Sequence, residues 1–168
     1  MPQRYLLAPT PVAPADRPDR GRDRPAANYA GFMRAEYVEA VLGVAELIPA
    51  GRVLSYGDIA ALLESGGPRQ VGSVMSHHGS AVAWWRVIRA GGQPPQFHDA
   101  AALVHYREEG MALRGETGGT HPSWRVDMAV ARWNPAESDF LAIDAIAARL
   151  HAGEAGAEMS EPRDGLQA

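Results

Sequence analysis

The chain has 168 residues, 46% of them hydrophobic, enough for one domain with a real core plus tails. It contains no cysteine, which removes disulfides, thiolate metal sites and any cysteine nucleophile, and no apolar run near the ~20 residues that span a bilayer. Its net charge of −4 divides unevenly: residues 1–33 hold five Arg and three Asp, residues 34–114 seven Arg and eight acids, and residues 115–168 four Arg and nine acids.

The acidity therefore sits C-terminally, and a near-neutral middle segment with a small basic face is free to bind nucleic acid in a salt-dependent way. Every one of the 16 basic residues is Arg, as coding bias in a GC-rich genome produces. The N-terminus lacks the hydrophobic region of a signal peptide, so the expected location is cytoplasmic.

Residues 1–28 are proline-rich and aperiodic, with Arg17, Arg20, Arg22 and Arg24 interleaved with Asp16, Asp19 and Asp23. They predict a disordered arm, either a solvated tail or an arm that touches phosphate. From Phe32 onward, Tyr37, Val41, Val44 and Ile48 repeat at helical spacing up to Pro49 and Gly51. Arg52 to Leu54 reads as extended. Ser55 and Asp58 then form a capping-box-like start to a helix carrying Ile59, Leu62 and Leu63, which stops at Gly66-Gly67. Pro68 opens a further helix with Val71, Val74 and Met75 on one side, ending before Gly79.

Trp84 to Ile88 reads as extended, Arg89 to Gly92 as the turn of a hairpin or wing, and Asp99 to Glu109 as a helix closed by Gly110. Residues 115–123 read as a loop. Asn134-Pro135 starts a last helix with an apolar stripe of Phe140, Ile143, Ala147 and Leu150, and an acidic tail follows. The fold class predicted is mainly α, a winged-helix-like helix-turn-helix domain with a short β hairpin, plus a C-terminal helix and flexible tails. The boundaries predicted are an arm at 1–28, the winged-helix domain at 29–114, a loop and helix at 115–152, and a flexible acidic tail at 153–168.

Three blocks carry more specific information. Residues 48–60, Ile-Pro-Ala-Gly-Arg-Val-Leu-Ser-Tyr-Gly-Asp-Ile-Ala, precede Pro68-Arg69-Gln70-Val71-Gly72, and Trp84-Trp85-Arg86-Val87-Ile88 follows. In order and spacing these resemble the DNA-binding domain of the O6-alkylguanine-DNA alkyltransferases, over roughly Tyr37 to Leu113. The active family has Pro-Cys-His-Arg-Val where this chain has Ala83-Trp84-Trp85-Arg86-Val87. Trp84 stands at the nucleophile's position, and an indole offers no nucleophile for displacement at an alkyl carbon. A tryptophan there resembles the alkyltransferase-like branch, which binds alkylated guanine and passes it to other repair machinery.

The resemblance implies a non-enzymatic protein without cofactors, nucleoid-associated when bound. Its implied partners are double-stranded DNA containing O6-alkylguanine and nucleotide-excision repair proteins. It implies that Tyr56 crowds the phosphate beside the target, that Arg69 fills the vacated stack, and that Gly72, Ser73 and Ser76 approach the minor groove. Trp84, Trp85, Arg86 and Val87 are the implied lesion-pocket residues, with Arg86 ordering the loop more than touching DNA. Packing alone also explains Gly72 and the two tryptophans. The chain departs from the family at His78 (Asn in the family), Ala83 (Pro) and Trp85 (His), and in a short Gly91–Pro95 loop; Glu109, whose partners Cys and His are gone, reads as helical surface.

Two other readings remain open: a winged-helix DNA binder without lesion specificity, and an interaction module recruiting a partner through the 135–150 helix. An enzyme built on His77, His78, His98 and His105 with Asp99 or Glu109 is disfavoured, since adjacent histidines splay apart on a helix and no HExxH spacing occurs. No GxxxxGK[ST] loop is present for a nucleoside triphosphate.

Overall fold

The computed structural model describes residues 34–118 and 123–158. The arm expected at 1–28 and the tail from 159 lie outside the described residues. Helix α1 (Ala35–Leu47) buries Tyr37, Ala40, Val41, Val44 and Ala45 along one face, and Pro49, just beyond it, cannot continue the helix. Helix α2 (Tyr56–Leu63) begins in a reciprocal capping box: Asp58 N–H donates to Ser55 Oγ (3.2 Å) and Ser55 N–H to Asp58 Oδ2 (2.9 Å). It ends at Glu64 in the left-handed region (φ 50°). Helix α3 (Pro68–His78) starts on a proline without a side-chain cap and buries Val71, Val74 and Met75.

The turn between α2 and α3 is held from outside. Gly66 has φ 67°, and a Cβ there would strike the Tyr37 hydroxyl. Helix α6 (Glu137–Glu158) reaches the same turn, where His151 Nε2 lies 3.0 Å from the Leu63 carbonyl oxygen and Ser65 Oγ donates to Glu154 Oε1 (3.1 Å). Along α6, Ile143 and Leu150 are fully buried in one core cluster with residues of α1, α2 and α3. The helix expected to end near residue 152 therefore continues, because His151, Gly153 and Glu154 have partners: Gly153 sits against Glu36, where a Cβ would lie 3.2 Å from that side chain. Phe140, counted in the predicted stripe, is 42% exposed.

Strand β1 (Leu54–Ser55) pairs in parallel with β2 (Val87–Ile88), Leu54 opposite Val87. The extended segment expected at Trp84–Ile88 is thus shorter. Trp84–Arg86 is a 3₁₀ turn, closed by Arg86 N–H donating to Ala83 O (3.0 Å), while the Tyr106 hydroxyl donates to Trp85 O (2.7 Å).

Arg89–Gly92 is likewise not a hairpin turn, since β2 has a parallel partner and the turn closes on itself, Gly92 N–H to Arg89 O at 2.9 Å. The hairpin lies where a loop was expected. After helix α4 (Asp99–Glu108), β3 (Leu113–Glu116) pairs antiparallel with β4 (Ser123–Val126). Gly115 has φ 90° and faces Trp124, and a Cβ there would collide with the Ser123 carbonyl oxygen. Helix α5 (Met128–Ala131) follows, capped by Asp127, and a second core cluster gathers Val53, Ile88, Ala102, Tyr106, Val126 and Ala131.

Candidate nucleic-acid interface

Tyr56 is the first residue of α2, and its half-buried ring faces Gly72 of α3. A Cβ at Gly72 would meet that ring at 3.7 Å, an ordinary van der Waals distance, so packing inside the chain does not require glycine there. Burial pushes the Tyr56 hydroxyl up and the nearby Arg89 charge offsets this only in part, so the group stays an O–H donor at neutral pH.

Below this pair opens a cavity of about 560 Å³. Tyr56, Gly72, Met75 and Ser76 line it from the helix-turn-helix; Gly79, Ser80 and Trp84 continue the wall, and Pro95 to His98 complete it. Its lining carries no Asp, Glu, Lys or Arg, which suits a neutral planar group better than an ion. The Trp84 ring lies 5.2 Å from the His98 ring and edge-on to Trp85 at 5.9 Å.

Of the residues singled out in the sequence, the fold brings Tyr56, Gly72, Ser76 and Trp84 to this cavity. Arg69 stands apart on the second residue of α3, exposed and without a hydrogen bond or ion pair among the described residues. Ser73 is half-buried beside the cavity rather than in it.

Trp85, Arg86 and Val87 do not line the pocket. Val87 is fully buried in the β1–β2 pair. The Trp85 ring stacks on His105 at 3.7 Å and donates Nε1–H to Glu109 Oε1 at 2.8 Å. Arg86 pairs with Glu109 (2.7 Å) and donates to the Ile48 carbonyl (2.8 Å), which orders the loop.

Glu109 is consequently not helical surface. It also accepts from Gly51 N–H (2.8 Å), tying the α1–β1 connection to the Trp85-Arg86 turn. Burial pushes its carboxyl up, but the hydrogen bonds from Arg86, Gly51 and Trp85 with the Arg86 charge together outweigh that, holding it below the usual carboxylate value.

Sequence reasoning missed Phe97. It is 96% exposed at the cavity rim with φ 67°, a conformation rare for a bulky side chain. Only the preceding Pro94-Pro95 signals an irregular backbone, and periodicity has nothing to say about such a loop. Of the histidines considered for an enzyme, His77 Nδ1 lies 2.8 Å from the Ser73 carbonyl, while His98 and His105 pack on the tryptophans.

Residues 36–117 match the family described as "6-O-methylguanine DNA methyltransferase, DNA binding domain". Two solved structures from S. pombe are similar in fold. One is Atl1 in complex with damaged DNA containing O6-carboxymethylguanine, 26% identical with a TM-score of 0.50. The other is ATL in complex with DNA, 26% identical with a TM-score of 0.51. Each match covers 62% of this chain and 100% of the other. No curated protein matches the chain.

Proposed function

We propose that the protein, whose residues 36–117 match the 6-O-methylguanine DNA methyltransferase DNA-binding domain, is a non-enzymatic reader of O6-alkylguanine in duplex DNA that marks the lesion for other repair proteins. The observation that carries this reading is the neutral cavity walled by Tyr56, Gly72, Ser76 and Trp84 in a chain that has no cysteine to accept an alkyl group. The S. pombe relative bound to O6-carboxymethylguanine DNA supports the lesion class.

A modified guanine inside the stack has to rotate out before its edge is inspected. In this reading Tyr56, at the N-terminus of α2, crowds the flanking phosphate, and the helix dipole favours that phosphate nearby. Arg69, exposed and uncommitted, occupies the gap left in the stack. The extruded base enters the cavity, where Trp84 offers an aromatic face worth ~1–3 kcal/mol of stacking. Burying one methyl adds only about 1 kcal/mol, so much of the discrimination against plain guanine comes from easier extrusion of a weakened pair. Larger alkyl groups bury more surface and bind more tightly. With no acceptor thiol the base is released unchanged, and the opened duplex is what nucleotide-excision repair proteins meet.

The test is binding to matched duplexes containing guanine or O6-methylguanine at fixed salt, for the parent, Tyr56→Ala and Arg69→Ala. The expected result is a preference of about tenfold for the lesion, ~1.4 kcal/mol, lost in both variants. Equal affinity of the parent for both duplexes reduces the protein to a winged-helix binder without lesion specificity.

A further inference from the structure

The β3–β4 hairpin sets Arg114 directly opposite Arg125. Both are exposed, and like charges facing each other across a strand pair destabilise it. The fold relieves one of them: Asp127 Oδ2 accepts from Arg114 Nε at 2.7 Å. That carboxylate is fixed, since its other oxygen caps α5 by accepting from Ala129 N–H (3.1 Å). Arg125 feels Asp127 only through its charge, and makes no hydrogen bond or ion pair among the described residues. Glu116, on the same face, stands across from Ser123.

The two arginines, Gln93 and Trp124 line a depression of about 380 Å³. Trp124 is fixed by its edge-on contact with Tyr106 (5.8 Å). Gln93 begins the stretch that runs on to Pro95–His98 at the cavity rim, so the depression and the cavity share one connecting loop.

We propose that this hairpin face is a second DNA contact, in which the Arg114–Arg125 pair binds the phosphate backbone of the duplex whose base is presented to the cavity. The proposal rests on the duplex-binding part of the reading above. A phosphate between the two guanidinium groups turns their repulsion into two attractions and meets their planar donor geometry. Such a contact supplies affinity and register and carries no information about the base. The hairpin's second strand, residues 123–126, lies beyond the family-matched segment, so this grip is an addition to the helix-turn-helix.

The experiment measures affinity against salt concentration for unmodified and O6-methylguanine duplexes, with the parent, Arg125→Ala, Arg114→Ala/Arg125→Ala, and Arg149→Ala as a control that removes the same charge from α6. Arg125→Ala leaves the Arg114–Asp127 pair in place and is the decisive variant. Its affinity is expected to fall about tenfold at low salt, and the slope of log affinity against log salt to shrink by about one, with about two for the double variant. The ratio between the two duplexes stays at the parent value, and Arg149→Ala keeps the parent slope. An unchanged slope in Arg125→Ala, or an equal loss in Arg149→Ala, overturns the proposal. A slope effect without any lesion preference in the parent supports the hairpin contact while sinking the lesion reading. A parent that binds neither duplex overturns both.

Discussion

Gly51 N–H, the Trp85 indole and the Arg86 guanidinium all end on the Glu109 carboxylate, and the two charged side chains are only 19% and 12% exposed. Removing the acceptor leaves a mostly buried cation with no counter-charge and only the Ile48 carbonyl to accept from it, so Glu109→Ala is expected to cost ~3 kcal/mol in urea unfolding at pH 7. Glu109 and Asp58 both titrate below the ordinary carboxylate value. Their stabilisation is complete above the unfolded-state value of ~4 and is lost as pH falls through the lower folded value. Parent urea midpoints should therefore drop on acidification below about pH 4, and Glu109→Gln should flatten part of that fall; an equally steep acid limb in the variant would assign the loss to other carboxylates.

Legibility at this scale follows separation along the chain. The Ser55–Asp58 box spans three residues and is visible as a local pattern, whereas Glu109 meets Gly51 across 58 positions and no spacing rule joins them.

Among the elements, α1, α2, α3 and α6 were legible because each buries a stripe at helical spacing, whereas the four-residue α5 buries only Ala131 and has no stripe to read. The hairpin was not: Leu113-Arg114-Gly115-Glu116 exposes three of its four residues, so alternation is absent, and its Gly imitates loop composition. That glycine is a requirement of the ladder. Gly115→Ala forces a Cβ into the Ser123 carbonyl at positive φ, and should cost ~1–3 kcal/mol with lost amide protection along the β3–β4 ladder; full protection there would show that the hairpin tolerates the residue. Ser55→Ala removes only a cap and should cost ~1 kcal/mol in thermal or urea melts, with α2 still formed. The cavity was half legible for a similar reason: Tyr56, Gly72 and Ser76 sit on readable helices, while Phe97 and His98 come from a loop without a period.

For the whole molecule, α6 is the piece that makes two layers of the helix-turn-helix. Its fully buried Ile143 and Leu150 each contribute ~2 kcal/mol of burial, so a chain ending at residue 136 should lose most of its stability and expose the outer face of α1. Circular dichroism melts of that truncation check the point, and an unchanged midpoint would show that the family-matched segment stands alone. The apolar stripe read from the sequence as a packing or recruiting face is taken up inside the chain at Ile143 and Leu150, while Phe140 of that stripe and its neighbour Leu141 are exposed.

The α2–α3 turn combines a left-handed Glu64, a left-handed Gly66 and a second glycine, a stretch that on its own samples many shapes. Tyr37, His151 and Glu154 reduce it to one. The searching freedom of the helix that carries Arg69 is thereby given up when the protein folds, so that, under the proposed function, encounter with DNA does not have to bear that entropy loss again. A motif shared with shorter relatives is, in this chain, tuned for rigidity by a helix that lies outside the motif.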